Sequence, residues 1–174
     1  MRRSAEMDNE VRVVQSFDAF YRAEYRSVVA LAAVLSGSRW AAEDLAQEAF
    51  SAAYRRWDQV GAFEYPHLWV RRVVANKSVS LIRRSVAETK AGTWFGNSRP
   101  PIDEMPDESE EVWDAVRRLP RRQTQVIALV YLDGLSVEEA GEVLGCSGGT
   151  VKTHLRRGRE TLGRKLGDTG EVST

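Results

Sequence analysis

Apolar positions along this chain recur at intervals of three and four rather than in alternation, the spacing of helices packed by one face. Phe17, Phe20, Tyr21, Val28, Leu31 and Leu35 share one side of a first helix, and Gly37 supplies its stop. A second helix starts near Ser38. Leu45, Ala46, Ala49, Ala53 and Trp57 form its apolar stripe and leave Asp44, Gln47, Glu48, Ser51 and Arg55 on another face. After the turn DQVGAFEY, Pro66 suits the first position of a third helix that reaches about Arg84. On it Val70, Val73, Val74 and Leu81 turn inward, while Trp69, Arg72, Asn76, Ser80 and Arg83 line up outward. Nothing between Phe17 and Arg84 sustains a period of two, so the fold class is all-α.

From Ala87 to Glu108 the pattern dissolves into AETKAGTWFGNSRPPIDEMPDE, whose Gly, Pro and acidic residues read as a tether. The chain therefore divides into two small helical domains, residues 12–84 and 109–167, joined by a flexible acidic linker over 85–108. The second domain opens with a helix around EEVWDAVRRL, breaks at Pro120, and continues with RRQTQVIALVYLDG to Gly134. Ser136 and Glu139 form a capping-box pattern for the next helix, which Gly145 ends after Leu144. Ser147 caps a last helix whose first turn Gly148 and Gly149 weaken. There Val151, Leu155 and Leu162 face inward, Lys152, Arg156 and Arg159 outward, and Ala140 on the preceding helix is small enough for close approach. That is the layout of a helix-turn-helix.

Charge sharpens the picture. The 25 basic and 25 acidic residues cancel, but they are not evenly mixed. Arg71, Arg72, Lys77, Arg83, Arg84 and Lys90 face only Glu88 within 69–90, and residues 147–165 hold six cations against Glu160. The acids gather at 103–114. Two basic helices suit nucleic acid: Thr150, Lys152, Thr153 and Arg156 have the reach for base edges and adjacent phosphates, and Arg157, Arg159, Arg164 and Lys165 are better placed for the backbone. In VGAFEY, Phe63 and Glu64 suit an unstacked base. Each feature also has a plainer reading, a solvated face for the cations and a core plug for Phe63 or Trp69.

One cysteine and two histidines, His67 and His154, give no metal-binding pattern, and no cofactor is expected. No apolar run approaches a membrane span and no signal peptide is evident, which points to the cytoplasm. The chain offers no Gly-rich phosphate loop and no nucleophile–histidine setting, so neither catalysis nor a small-molecule substrate is expected.

The order DLAQEAFSAAYRRW, PHLWVRRVVANKSVSLIRR, an acidic linker, then LPRRQTQVIALVYLDGLSVEEAGEVLGCSGGTVKTHLRRGRETL resembles an extracytoplasmic-function (ECF) sigma factor of bacterial RNA polymerase, from Phe17 to Leu166. The resemblance implies core RNA polymerase, promoter DNA and an anti-sigma factor as partners. It assigns polymerase binding to Asp44, Gln47, Glu48 and Phe50, helped by Tyr54 and Trp57. It assigns recognition and melting of the −10 element to Phe63, Trp69, Arg72, Asn76, Lys77, Ser80, Arg83 and Arg84. It assigns the −35 element to Ser147, Thr150, Lys152, Thr153, Arg156, Arg157 and Arg159, and threads the acidic linker toward the RNA exit path. Gly148 departs from the family's pattern and implies a looser start to the recognition helix, and no further domain is expected after Leu166. A stand-alone helix-turn-helix regulator is the alternative. It leaves the basic, aromatic-bearing helix from Trp69 to Arg84 without a purpose.

Overall fold

The computed structural model describes residues 15–90 and 107–167, with side chains over 15–79 and 111–166. Among them there is no strand. The helices are α1 (Phe17–Ser36), α2 (Arg39–Tyr54), the single turn α3 (Trp57–Val60), α4 (Pro66–Lys90), α5 (Asp107–Arg117), α6 (Arg121–Ile127), α7 (Val137–Leu144) and α8 (Gly148–Gly167). None of them is long and apolar enough to cross a membrane.

The expected punctuation is present. Ser16 and Ser38 accept from Ala19 N at 3.3 Å and Ala41 N at 3.5 Å, so each satisfies a donor left over at a helix start. Gly37, Gly134 and Gly145 all take positive φ where the sequence places stops. The helices run further than the pattern suggests: α4 continues to Lys90 and α5 begins at Asp107, inside the span read as linker.

The first unit packs α1, α2 and α4 around Phe20, Val28, Leu31, Leu45, Phe50, Val70 and Val74. Ala42, Ala46, Ala49 and Ala53 make α2's buried stripe, small enough for α1 to lie close. The second unit closes α5 to α8 over Val116, Val126, Leu129, Val143 and Val151, each worth about 1.5–3 kcal/mol when fully buried.

Three local features depart from the sequence reading. Trp57 does not continue the second helix, because the chain breaks at Arg55–Arg56. Its indole turns back over Phe17 and Phe20, at 5.3 and 4.9 Å between ring centres, and donates to Gln15 O at 3.1 Å. After α6 the helix widens into a π-turn, Ala128–Leu132, in which Asp133 N–H reaches Ala128 O at 3.1 Å. One extra residue rotates the chain beyond the turn by roughly 100° and so re-aims Asp133. Finally, α7 is pressed against the turn that follows it at Gly141, a close approach the pattern did not mark: a Cβ there would lie 2.7 Å from the Cys146 carbonyl, while Ala140 is fully buried beside it.

The units also touch each other: α7 lies against α4, and the π-turn against α1.

Candidate nucleic-acid and protein-binding surfaces

The helix-turn-helix is assembled by caps. Ser136 Oγ accepts from Glu139 N at 3.1 Å, and Glu139 returns the bond by accepting from Ser136 N at 2.7 Å. Hydrogen bonding from Ser136 holds the Glu139 carboxyl below the usual glutamate range, with His67 and Arg71 adding a weaker pull. At the start of α8, Ser147 Oγ accepts from Thr150 N at 3.2 Å and meets the Thr150 hydroxyl at 3.0 Å. The cap is formed despite Gly148 and Gly149.

Val151 anchors α8 in the core, with Leu155 and Leu162 half-buried beside it. The opposite face carries Lys152, Thr153, Arg156, Arg157 and Arg159, all exposed. Thr153 spends its hydroxyl on Gly149 O at 3.0 Å, and Arg156 pairs with Glu160 one turn on. Lys152, Arg157 and Arg159 have no carboxylate partner among the described residues. Unneutralised cations beside short polar side chains on an exposed helix face are what duplex DNA contacts require.

On α4, Arg72, Asn76 and Lys77 are exposed and Trp69 is half-buried, while Ser80, Arg83 and Arg84 lie beyond the described side chains. Lys77 is bonded to Glu48 of α2, so a cation assigned to DNA and an acid assigned to polymerase neutralise each other. In the turn ahead of α4, Phe63 and Tyr65 are both exposed. Tyr65 meets the edge of His67 at 6.0 Å, and its hydrogen bond with Glu64 pushes the phenol above its usual range.

The third surface lies on α1 and α2. Asp44, Gln47 and Glu48 point to solvent, and Tyr54 is 66% exposed. Phe50 is only 2% exposed and sits against Phe20, Tyr21 and Tyr25. Together Phe17, Tyr21, Gln47, Phe50 and Tyr54 line an open groove of about 430 Å³. Trp57 supports this groove from within through Phe17.

In the sequence Arg71 is one cation of the basic block on α4, with no role of its own. In the fold it is buried, 4% exposed, between the two units. Its guanidinium donates to Asp133 through Nη2 at 2.8 Å and through Nε, to Glu24 at 2.7 Å, and to Ser27 at 3.0 Å. Burial opposes the charge, but the bonds to Asp133 and Glu24 outweigh it and hold the Arg71 pKa above the ordinary arginine value. Nearby, Gln125 Nε2 reaches Ala75 O at 3.1 Å, and Arg72 donates to Glu142 O on α7. A signal for this burial exists in the chain: Leu68, Arg71, Ala75 and Ser78 follow a three-and-four spacing and are all buried.

Known proteins resemble this chain at both ends. Residues 20–87 match the family model for sigma-70 region 2, and 109–162 that for sigma-70 region 4. The chain is 34% identical over 142 residues to the ECF RNA polymerase sigma factor SigW of Bacillus subtilis, covering 73% of this chain and 76% of that one. It is 30% identical over 157 residues to SigM of Mycobacterium tuberculosis, covering 87% and 78%. Its fold is shared with the sigma factor RpoE of Bartonella quintana, solved with the anti-sigma factor NepR, at a TM-score of 0.72 and 24% identity over 86% of this chain and 96% of that one. CnrH, solved with the cytosolic domain of CnrY, gives a TM-score of 0.66 at 23% identity, over 87% and 88%.

Proposed function

The chain belongs to the ECF family of RNA polymerase sigma factors, which direct polymerase to promoters, and from that premise we propose how its surfaces divide the work. The α1–α2 face holds core polymerase, with Asp44, Gln47 and Glu48 as polar contacts and Tyr54 as an aromatic anchor beside the groove. Phe50 and Trp57 shape that groove from behind. The turn at Phe63 and the outer face of α4, through Trp69, Arg72, Asn76 and Lys77, take the −10 element, with Ser80, Arg83 and Arg84 further along the same helix. The face of α8 takes the −35 element as duplex, through Lys152, Arg156, Arg157 and Arg159 beside Ser147, Thr150 and Thr153.

Neither DNA surface needs high affinity alone. Clamped on polymerase and joined by one chain, the two gain effective concentration for a two-part site. Melting costs about a few kcal/mol per unstacked step, offset by stacking on aromatic side chains such as Phe63 and by phosphate contacts. The chain supplies binding only, and phosphodiester chemistry stays with the polymerase. It works in the cytoplasm, under an anti-sigma factor that covers the same faces. A native pull-down that recovers polymerase but no inhibitor counts against that last assignment.

The observation that carries this reading is the set of unneutralised cations on the outer face of α8, on a chain whose other domain matches region 2. Run-off transcription with core polymerase tests it. Specific transcripts from a two-element promoter must appear only when this chain is added. A chain that binds an operator tightly by itself, on symmetric half-sites, supports the stand-alone regulator instead.

A further inference from the structure

Three hydroxyl side chains, Ser147, Thr150 and Thr153, lie exposed at the start of α8. In the sequence they are interchangeable, each offering one proton and two lone pairs. The fold separates them. Ser147 Oγ meets the Thr150 hydroxyl at 3.0 Å, so one proton of that pair is used inside the cap and the other stays available to an acceptor on DNA. Thr153 instead donates to Gly149 O at 3.0 Å, the carbonyl one turn back along its own helix. Its only proton is committed there, so the hydroxyl has nothing to donate to guanine N7 or O6, to adenine N7 or to thymine O4.

What Thr153 keeps for a groove is its methyl group. Branching at Cβ leaves few rotamers open in a helix, and the bond to Gly149 selects one of them, so the methyl stands at a fixed place on the exposed face. Arg156, the next cation along α8 after Lys152, is drawn toward Glu160 in the direction of the C-terminus, and so away from Thr153. A methyl held in this way matches the one apolar group on the major-groove edge of the bases, the 5-methyl of thymine. We propose that Thr153 is a specificity-determining residue: it selects a thymine in the −35 duplex by contact of its methyl with the thymine 5-methyl, and its hydroxyl takes no part in base recognition. This rests on the reading of α8 as the −35 surface and names the base chemistry that surface selects.

The test compares thymine with deoxyuridine, which lacks only that methyl. The full chain, bound to core polymerase, selects duplexes from a randomised pool, and each thymine of the selected sequence is then replaced singly by deoxyuridine. At least one replacement must weaken binding about fourfold, the effect of burying one methyl group. Thr153→Val keeps the shape and the methyl but removes the hydroxyl, and it must bind the selected duplex as the unmutated chain does, with the same preference for thymine. Thr153→Ser keeps the hydroxyl and removes the methyl. At the sensitive position it must bind thymine and deoxyuridine equally, so that the two losses are not additive. Circular dichroism checks that both variants are folded, and if Thr153→Val is not, the comparison of Thr153→Ser with the unmutated chain decides. A selected duplex with no methyl-sensitive thymine, a set of preferences that all survive Thr153→Ser, or their loss in a folded Thr153→Val chain overturns this proposal and leaves the −35 reading standing. A pool from which no duplex is selected overturns both.

Discussion

Gly141→Ala is the substitution whose outcome is decided most directly by the geometry of the helix-turn-helix. An added methyl removes the entropic handicap of glycine inside α7, a gain of about 0.8–1 kcal/mol in an unobstructed helix. Here it would lie 2.7 Å from the Cys146 carbonyl oxygen, with Gly148 N at 3.5 Å behind it. To regain an ordinary contact the carbonyl must retreat by about 0.7 Å, and it is backbone, tied by the Cys146 N–H to Gly141 O at 2.9 Å. Overpacking of this kind costs about 1–3 kcal/mol. The net is a loss of about 1 kcal/mol, or a Tm lower by about 2–4 °C for a chain of this size. Gly163→Ala is the control: it sits in α8 with nothing within 4 Å of the added atom, so it keeps the propensity gain and raises Tm by about 1–4 °C. Thermal melts followed by circular dichroism separate the two. Because the displaced turn sets the entry of α8, Gly141→Ala also weakens binding to a −35 duplex while Gly163→Ala does not. A Gly141→Ala chain as stable as the unmutated protein, with duplex binding intact, would refute the close approach of the α7–α8 turn to this glycine.

Other outcomes rest on single contacts. Glu139→Gln removes the charged half of the capping box and lowers Tm near neutral pH, by the equivalent of about 0.5–1 kcal/mol. Since the folded Glu139 pKa lies below the ordinary 4.5, its contribution is complete above that value and fades as pH falls through the depressed one. The Tm gap between the two proteins must therefore narrow in acid, and a gap constant to pH 3 removes the electrostatic part of the account. Lys152→Ala with Arg156→Ala reduces use of promoters that need the −35 element and lowers the slope of log affinity against log salt by about two, with association to core polymerase unchanged in pull-down. Tyr54→Ala weakens core binding about tenfold or more in a competition assay, as truncation of an aromatic anchor does, yet leaves Tm within about 1 °C because the side chain is mostly in solvent.

Much of the first unit is legible residue by residue. Leu45, Ala46, Ala49 and Ala53 are all buried and Asp44, Gln47 and Glu48 all exposed, as a three-and-four count requires. The capping box at Ser136 and Glu139 and the stop at Gly145 also read off the chain, because a cap is a bond between residues three apart and the chain itself brings them together. The inward set of α8 and its cationic face obey the same rule.

Contacts that depend on distant partners are not legible in this way. Arg71 and Arg72 are neighbours of one type; the three-and-four spacing puts Arg71 on the buried face with Leu68, Ala75 and Ser78, but nothing local reveals that its charge is met by Asp133, 62 positions away. The π-turn that aims Asp133 carries no breaker in ALVYL, and Phe50 reads as a surface contact until α1 covers it. Helical period, caps and charge are short-range properties, so the amino-acid order settled the helices, their stops and the polarity of each face. Which faces meet depends on shape and desolvation summed across the whole molecule, and for that reason the seam between the units was decided by tertiary packing alone.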